Sequence, residues 1–303
     1  MSRWNPRRSA LLLALVCSVG VGCEDAEEAT GTASGPVYPT PPGTSTALGT
    51  LAPRPALLVR SITVAGSQNS STAPGFDLDG RVSTATDREA CGKRDFTSPD
   101  GVPGIDNQIG AVWSSVYSIV GQPVNGLIGD AVNEGRLSLI LELDDLDDFT
   151  HDDSVGVTLY RATNPNPILG TKGLIQAGQT FEVQPEKPVV GFEPTAIVDG
   201  VLRLGPFDYP LDVDLFQANF RLNLIGVIVE LREQPDGSWH GYMGAGVSVE
   251  EISAVATEYA PNESRAIVPL LPNLADLEPG ANGKCTYVSA VLEVDAVPSF
   301  LAR

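Results

Sequence analysis

Apolar residues recur at every second position through much of the C-terminal half, and that period commits the chain to sheet. Leu137, Leu139, Leu141 and Leu143 alternate with Ser138, Ile140 and Glu142, and Val155, Val157 and Leu159 repeat the pattern. Successive side chains of a strand point to opposite faces, so each run presents one apolar face to a core. The segment 196–204 carries Asp199-Gly200 at its centre, a strong two-residue hairpin signal. Phe220, Leu222 and Leu224 alternate in one phase, and Ile225, Val227, Val229 and Leu231 in the other. A slip of one residue exchanges the buried face, so Gly226 marks a bulge or a strand passing between sheets. Val288, Ala290, Leu292 and Val294 predict a closing strand.

Helical spacing interrupts this pattern in two places. Ile109, Val112, Trp113, Val116, Ile119 and Val120 share one helical face, after Asp106 or Asn107 as the cap. Pro123 opens a second helix, with Val124, Leu127, Ile128, Ala131 and Val132 on its face and Gly135 at its end. Later, Ser248-Val249-Glu250-Glu251 reads as a capping box with Val247 and Ile252 at staple positions. Ile252, Val255, Ala256 and Tyr259 then form the buried face, up to Pro261. The expected fold is mainly β with a few helices: a β-sandwich or open barrel preceded by two amphipathic helices. It occupies a single globular domain over 56–303, helical at about 106–135 and β at about 137–303.

The N-terminus carries a different message. Three arginines and no acid precede an uncharged apolar run from Ala10 to Gly22. That run is short of the roughly 20 residues that cross a bilayer, and it suits a signal peptide over 1–22. It ends in Gly20-Val21-Gly22-Cys23, which resembles the lipobox of bacterial lipoproteins. The resemblance implies that Cys23 is diacylated, with palmitate-type chains, and becomes the mature N-terminus. Residues 23–55 are rich in Gly, Ser, Thr, Pro and acid, and such composition reads as a lipid-anchored disordered linker. The expected location is the cell envelope, at the outer membrane or cell surface, with the membrane as partner through the lipid.

The chain has 19 basic and 38 acidic residues, net −19. Loss of the leader with its three arginines leaves 16 basic residues against 38 acidic, net −22. Such a charge repels nucleic acid, which is excluded as a partner. Of four cysteines, Cys17 leaves with the leader and Cys23 takes the lipid. Cys91 and Cys285 remain, and an even pair in an oxidising compartment predicts a disulfide. Closing so long a loop stabilises by about 4–5 kcal/mol in the chain-entropy model.

Aspartates on glycine-bent loops raise the question of calcium, which takes six to eight oxygen ligands. Asp77, Asp79, Asp100, Asp106 and Asn107 are the candidate ligands. The alternative is structural: Asp106 or Asn107 caps a helix, and Asp100-Gly101 makes a turn. The acidic run from Asp144 to Asp153 is a second candidate, or else a solvated hairpin loop. His-Glu-x-x-His and Gly-x-Ser-x-Gly are both absent, so the chain reads as non-enzymatic. A structural or binding protein is expected, with a glycan or an envelope protein as partner. The alternatives are a calcium-stabilised carbohydrate-binding or adhesion module and an envelope hydrolase. A glycan platform would draw on Trp239, Tyr242, Tyr209 and Phe207, each of which is also a natural core residue.

The segment Phe76-Asp77-Leu78-Asp79-Gly80-Arg81, the stretch from Cys91 through Asp100-Gly101 to Asp106-Asn107, and Asp236-Gly237-Ser238-Trp239-His240-Gly241 together resemble a group of predicted lipoproteins of myxobacteria. The resemblance implies export and a lipid anchor, and no activity. Residues 100–107 are also similar to part of a thrombospondin type 3 calcium repeat. A single copy, with Gly104 where that repeat has a carboxylate, sets the chain outside that family.

Overall fold

The computed structural model describes residues 54–117, 122–215 and 218–302. All lie within the compact unit Tyr38–Arg303. The signal peptide, Cys23 and nearly all of the expected linker lie outside the described residues.

Among the described residues thirteen strands and five helices follow one another. They are β1 (Arg54–Val64), β2 (Phe96–Thr97), β3 (Pro103–Ile105), α1 (Gln108–Val116), α2 (Gln122–Asn133), β4 (Ser138–Asp144) and β5 (Asp152–Thr163). Next come β6 (Thr180–Val183), β7 (Val190–Gly191), β8 (Thr195–Val198), β9 (Val201–Leu215), β10 (Ala218–Glu233) and β11 (Trp239–Ser248). The chain closes with α3 (Val249–Tyr259), α4 (Pro261–Ile267), α5 (Leu271–Leu274), β12 (Leu277–Pro279) and β13 (Cys285–Ala302).

The fold is mainly β with helical additions, and its ladders form a circuit. β1 pairs with β4, β4 with β5, β5 with β8, β8 with β9, β9 with β10, β10 with β11, β11 with β13, and β13 with β1, every pairing antiparallel. A sheet that returns to its first strand is a barrel, which leaves no long free edge in the wall. Short β6 adds a parallel pairing, between Phe300–Ala302 of β13 and Thr180–Glu182.

β1 precedes the two helices, and Arg54 and Pro55 already pair with Leu301 and Phe300. Its apolar residues run together as Ala56-Leu57-Leu58-Val59, all buried, because both of its faces are covered. The same is true of β4, where Ser138, Ile140 and Glu142 are as buried as the leucines between them. The Asp199-Gly200 hairpin forms with φ positive at both turn residues, the type I′ pattern. The phase slip in β10 is a bulge: its register shifts between Leu224 and Val227 against β9, and between Ile225 and Ile228 against β11. The strand stays in one sheet.

α1 is capped by Asn107, whose side chain accepts from the Gly110 N–H at 2.9 Å. The expected face residues Ile119 and Val120 lie outside the described residues. α2 touches both β1 and β9, strands on opposite sides of the circuit, so it lies across one end of the barrel. Ala131 and Val132 of that helix are fully buried, while Val124 and Leu127 stay exposed.

α3 departs from expectation in two respects. None of its residues is fully buried, and Tyr259 is exposed, so the helix rests on the barrel surface. Only half of the capping box forms: Ser248 Oγ accepts from the Glu251 N–H, while the Glu251 carboxylate turns to the N–H and the Nδ2 of Asn223 in β10. Pro261, which ends α3, also opens α4.

Candidate metal centre

The loop after Phe76 is held against the barrel by close approach. Phe76 is buried with its ring on Gly244 of β11, where a Cβ would stand 2.6 Å from ring carbon Cδ2. The guanidinium of Arg203 lies 5.4 Å above the same ring. The chain then turns through Asp77 and Asp79. Asp77 Oδ1 accepts from the N–H groups of Gly80 and Arg81 at 2.6 and 3.0 Å, and Asp79 Oδ1 accepts from Arg81 N–H at 3.0 Å.

Asp106 reaches this loop from β3 and the start of α1. Its backbone N–H donates to Phe76 O at 2.9 Å, and its carboxylate accepts from Leu78 N–H at 2.8 Å. One carboxylate oxygen each from Asp77, Asp79 and Asp106 lie within 4.8 Å of one another. Asp77 is exposed, Asp79 half-buried and Asp106 2 % exposed, so the cluster runs from solvent into the fold. Gly104 makes the approach feasible: at φ +86° it passes so near the loop that a Cβ would meet Arg81 O at 2.8 Å and Asp77 Oδ2 at 3.4 Å. A carboxylate-bearing residue has no room there.

Burial and mutual repulsion raise the pKa values of the carboxyls in this arrangement. Burial pushes the Asp106 carboxyl up to about 8, and the charges of Asp276, Asp79 and Asp95 add to the rise. Asp95 is pushed up to about 6, first by burial and then by Asp79 and Asp77. Asp79 is raised as well, chiefly by burial. Behind Asp106, Asp276 is 3 % exposed and pushed up to about 7 by burial. Its carboxylate accepts from Ser289 N–H and Oγ at 2.7 and 2.5 Å, and Ser289 Oγ accepts from Gln108 N–H at 2.8 Å. That chain of bonds ties the first turn of α1 to β13.

Of the five expected ligands, three converge. Asp100 does not: it is exposed, in the turn where Gly101 N–H donates to Ser98 O. Asn107 does not either, because its Nδ2 donates to the carbonyls of Ala65 and Pro74 and its Oδ1 caps α1. Asp95, outside the ligand cluster, lies near enough to feel the charges of Asp79 and Asp77 while accepting from Ser83 N–H, and no spacing in the sequence marks it, since only the folding of the 83–95 loop carries it there. The disulfide Cys91–Cys285 fastens that loop to the start of β13, with Cα atoms 5.8 Å apart.

No protein-family model, curated protein or solved structure matches the chain. Elsewhere the other expected sites take ordinary structural roles. The 145–151 segment of the acidic run connects β4 to β5. There Asp152 accepts from the N–H groups of Asp147 and Ser154, and these bonds hold its carboxyl below the usual carboxylate range. Among the described residues that run gathers no further metal-sized cluster. His240 Nδ1 lies 3.0 Å from Asp295 and its Nε2 3.7 Å from Glu293, while exposed His151 faces Asp153. Trp239 and Tyr209 are buried, and Phe207 lines the barrel interior. Tyr242 is half-buried edge-on to His240, so the four aromatics share no exposed platform.

The barrel interior is packed. Leu139, Leu159, Leu204, Tyr209, Val229 and Val294 are among the side chains around its residual void of about 40 Å³. That is space for about one water molecule. Among the described residues no helix is long and apolar enough to cross a membrane.

Proposed function

We propose that this chain is a lipid-anchored protein of the cell envelope, carrying a non-catalytic β-barrel binding domain that a divalent cation clamps. Calcium is the ion its chemistry favours, since every ligand is a carboxylate oxygen and the loops are bent by glycine. One observation carries the clamp: Asp77 and Asp79 on one loop meet Asp106 from another, with oxygens within 4.8 Å and Asp106 almost wholly buried. A dication neutralises those charges and joins the Phe76 loop to the helix start. The lipid anchor rests on the leader and on Cys23. Sequence likeness to predicted myxobacterial lipoproteins supports the same reading.

Differential scanning calorimetry of the mature chain tests the clamp. Millimolar calcium is expected to raise the melting temperature over the EDTA-treated protein, and Asp106→Asn to remove the effect. An unchanged melting temperature overturns it. The anchor is tested separately by metabolic labelling with palmitate: label in the native protein and none in Cys23→Ser is the expected result.

A further inference from the structure

Two stretches of this acidic chain are almost without charged residues, and they fold side by side. Residues 107–129 hold none, and residues 162–181 hold only Lys172, in a chain that is 19 % charged with net −19. The first stretch covers α1 and most of α2. The second covers the end of β5 and a loop pinched by the antiparallel bridge between Leu169 and Ile175. The side chain of Asn133, the last residue of α2, donates to Gly173 O in that loop at 2.9 Å. Just beyond the helix, Gly135 lies against Asn164 O. Helix and loop therefore adjoin.

The same region gathers exposed apolar side chains. Of the eleven large hydrophobics left exposed among the described residues, five stand here: Tyr117, Val124, Leu127, Ile168 and Leu169. Trp113, half-buried beside Gly66, meets Tyr117 edge-on with ring centroids 6.1 Å apart. Exposed apolar groups that cluster, rather than scatter singly, mark a contact surface. Aliphatic residues beside tryptophan and tyrosine, without acids among them, suit the boundary between water and lipid, where amphipathic rings sit at headgroup level. The excess of acid in the rest of the chain makes its other surfaces poor neighbours for a membrane carrying anionic lipid.

We infer that the α1–α2 face and the adjoining 164–178 loop rest on a zwitterionic lipid surface, with Trp113 and Tyr117 at headgroup depth. The inference takes its setting from the lipid anchor proposed at Cys23 and uses no residue of the cation clamp. Thirty residues separate Cys23 from Arg54. Fully extended they reach about 100 Å, against about 36 Å for the eleven residues of β1, so the tether lets any side of the barrel face the bilayer. Surface chemistry then selects the side. Tethering also makes the second contact intramolecular, so a face of modest apolar area suffices.

The test couples the chain from Cys23 onward to a maleimide lipid in phosphatidylcholine vesicles. Cys23 is its single free thiol, since Cys91 and Cys285 are bonded to each other. This supplies a tether whether or not cells acylate Cys23, so failure of the face and failure of the anchor are told apart. Vesicle lipids brominated on their acyl chains quench tryptophan by contact. The coupled chain holds two, Trp113 on the face and Trp239, 1 % exposed in the core. Bromolipid is expected to lower the fluorescence of the native protein and to leave that of Trp113→Phe unchanged. Val124→Asp with Leu127→Asp, and separately Ile168→Asp at a position 61 % exposed, are expected to remove the loss with circular dichroism unaltered. Phosphatidylglycerol in place of phosphatidylcholine is expected to weaken the quenching at low salt, where repulsion of an acidic domain is least screened. No quenching of the native protein, equal quenching of Trp113→Phe, full quenching in either aspartate variant, or stronger quenching on phosphatidylglycerol overturns the proposal. So does dimerisation in solution that the same aspartates abolish while vesicles quench nothing, which assigns the face to a second copy of the chain.

Discussion

The carboxylate of Asp106 accepts the backbone N–H of Leu78 at 2.8 Å, across 28 residues of sequence. This bond places a nearly buried charge against two further aspartates of the loop it holds. Asp106 therefore both shapes the loop and burdens it electrostatically, and the two roles can be separated by substitution.

Asp106→Asn keeps an acceptor for Leu78 N–H and removes the charge. Without divalent cation at pH 8, the variant is expected to be more stable than the native protein by on the order of 1–3 kcal/mol, the scale of an uncompensated buried polar group. With calcium the order reverses, because only the native protein gains. Urea denaturation with and without calcium reads both signs.

The pH dependence follows from the same group. Asp106, Asp276 and Asp95 stand at about 8, about 7 and about 6 in the folded protein, against an ordinary 3.8. The folded chain therefore holds more protons than the unfolded chain between those limits. Their contribution is fully present below about pH 3.8 and is lost as pH rises through about 6, 7 and 8. Native minus Asp106→Asn stability, measured in EDTA, is expected to fall steadily from about pH 4 to about pH 8. Calcium, which binds the ionised form, should flatten or invert that slope.

Gly104→Ala puts a Cβ 2.8 Å from Arg81 O at a residue with φ +86°. A strained backbone position of this kind costs roughly 1–3 kcal/mol. The same methyl presses on Asp77, so calcium affinity should weaken alongside stability. Calorimetric titration of the variant checks the two together.

Cys91→Ser opens a loop of 194 residues in sequence separation. Stability is expected to drop by about 4–5 kcal/mol in the chain-entropy model, read from the denaturation midpoint and matched by reducing the native protein. Calcium affinity should change as well, because the disulfide anchors the loop that holds Asp95 within electrostatic reach of the cluster.

Ser248→Ala removes the cap of α3 and should cost about 1 kcal/mol. Glu251→Ala should act elsewhere. Its carboxylate holds Asn223 N–H at 2.9 Å, so amide exchange at Asn223 is expected to quicken while the helix cap at Ser248 persists.

Local rules made much of the fold legible. A period of two identified the walls formed by β4, β5 and β13, Asp199-Gly200 fixed a hairpin, and Asn107 and Ser248 marked helix starts. Each signal lies within a few residues, where backbone geometry alone sets the outcome. The disulfide was legible too, by elimination among four cysteines.

Closure of the circuit was not legible, because β1 pairs with β13 across more than two hundred residues and no periodicity encodes a partner. The unbroken apolar run of β1 looks alike in a helix or a doubly covered strand. For the metal centre, the sequence determined which residues carry oxygen ligands on bent loops. Tertiary structure alone decided that Asp77, Asp79 and Asp106 meet, that Asp95 lies near enough to repel them, and that Asp100 and Asn107 are spent on a turn and a cap. The physical reason is that burial and proximity, which decide a carboxylate's charge, belong to pairs of segments brought together only when the barrel closes.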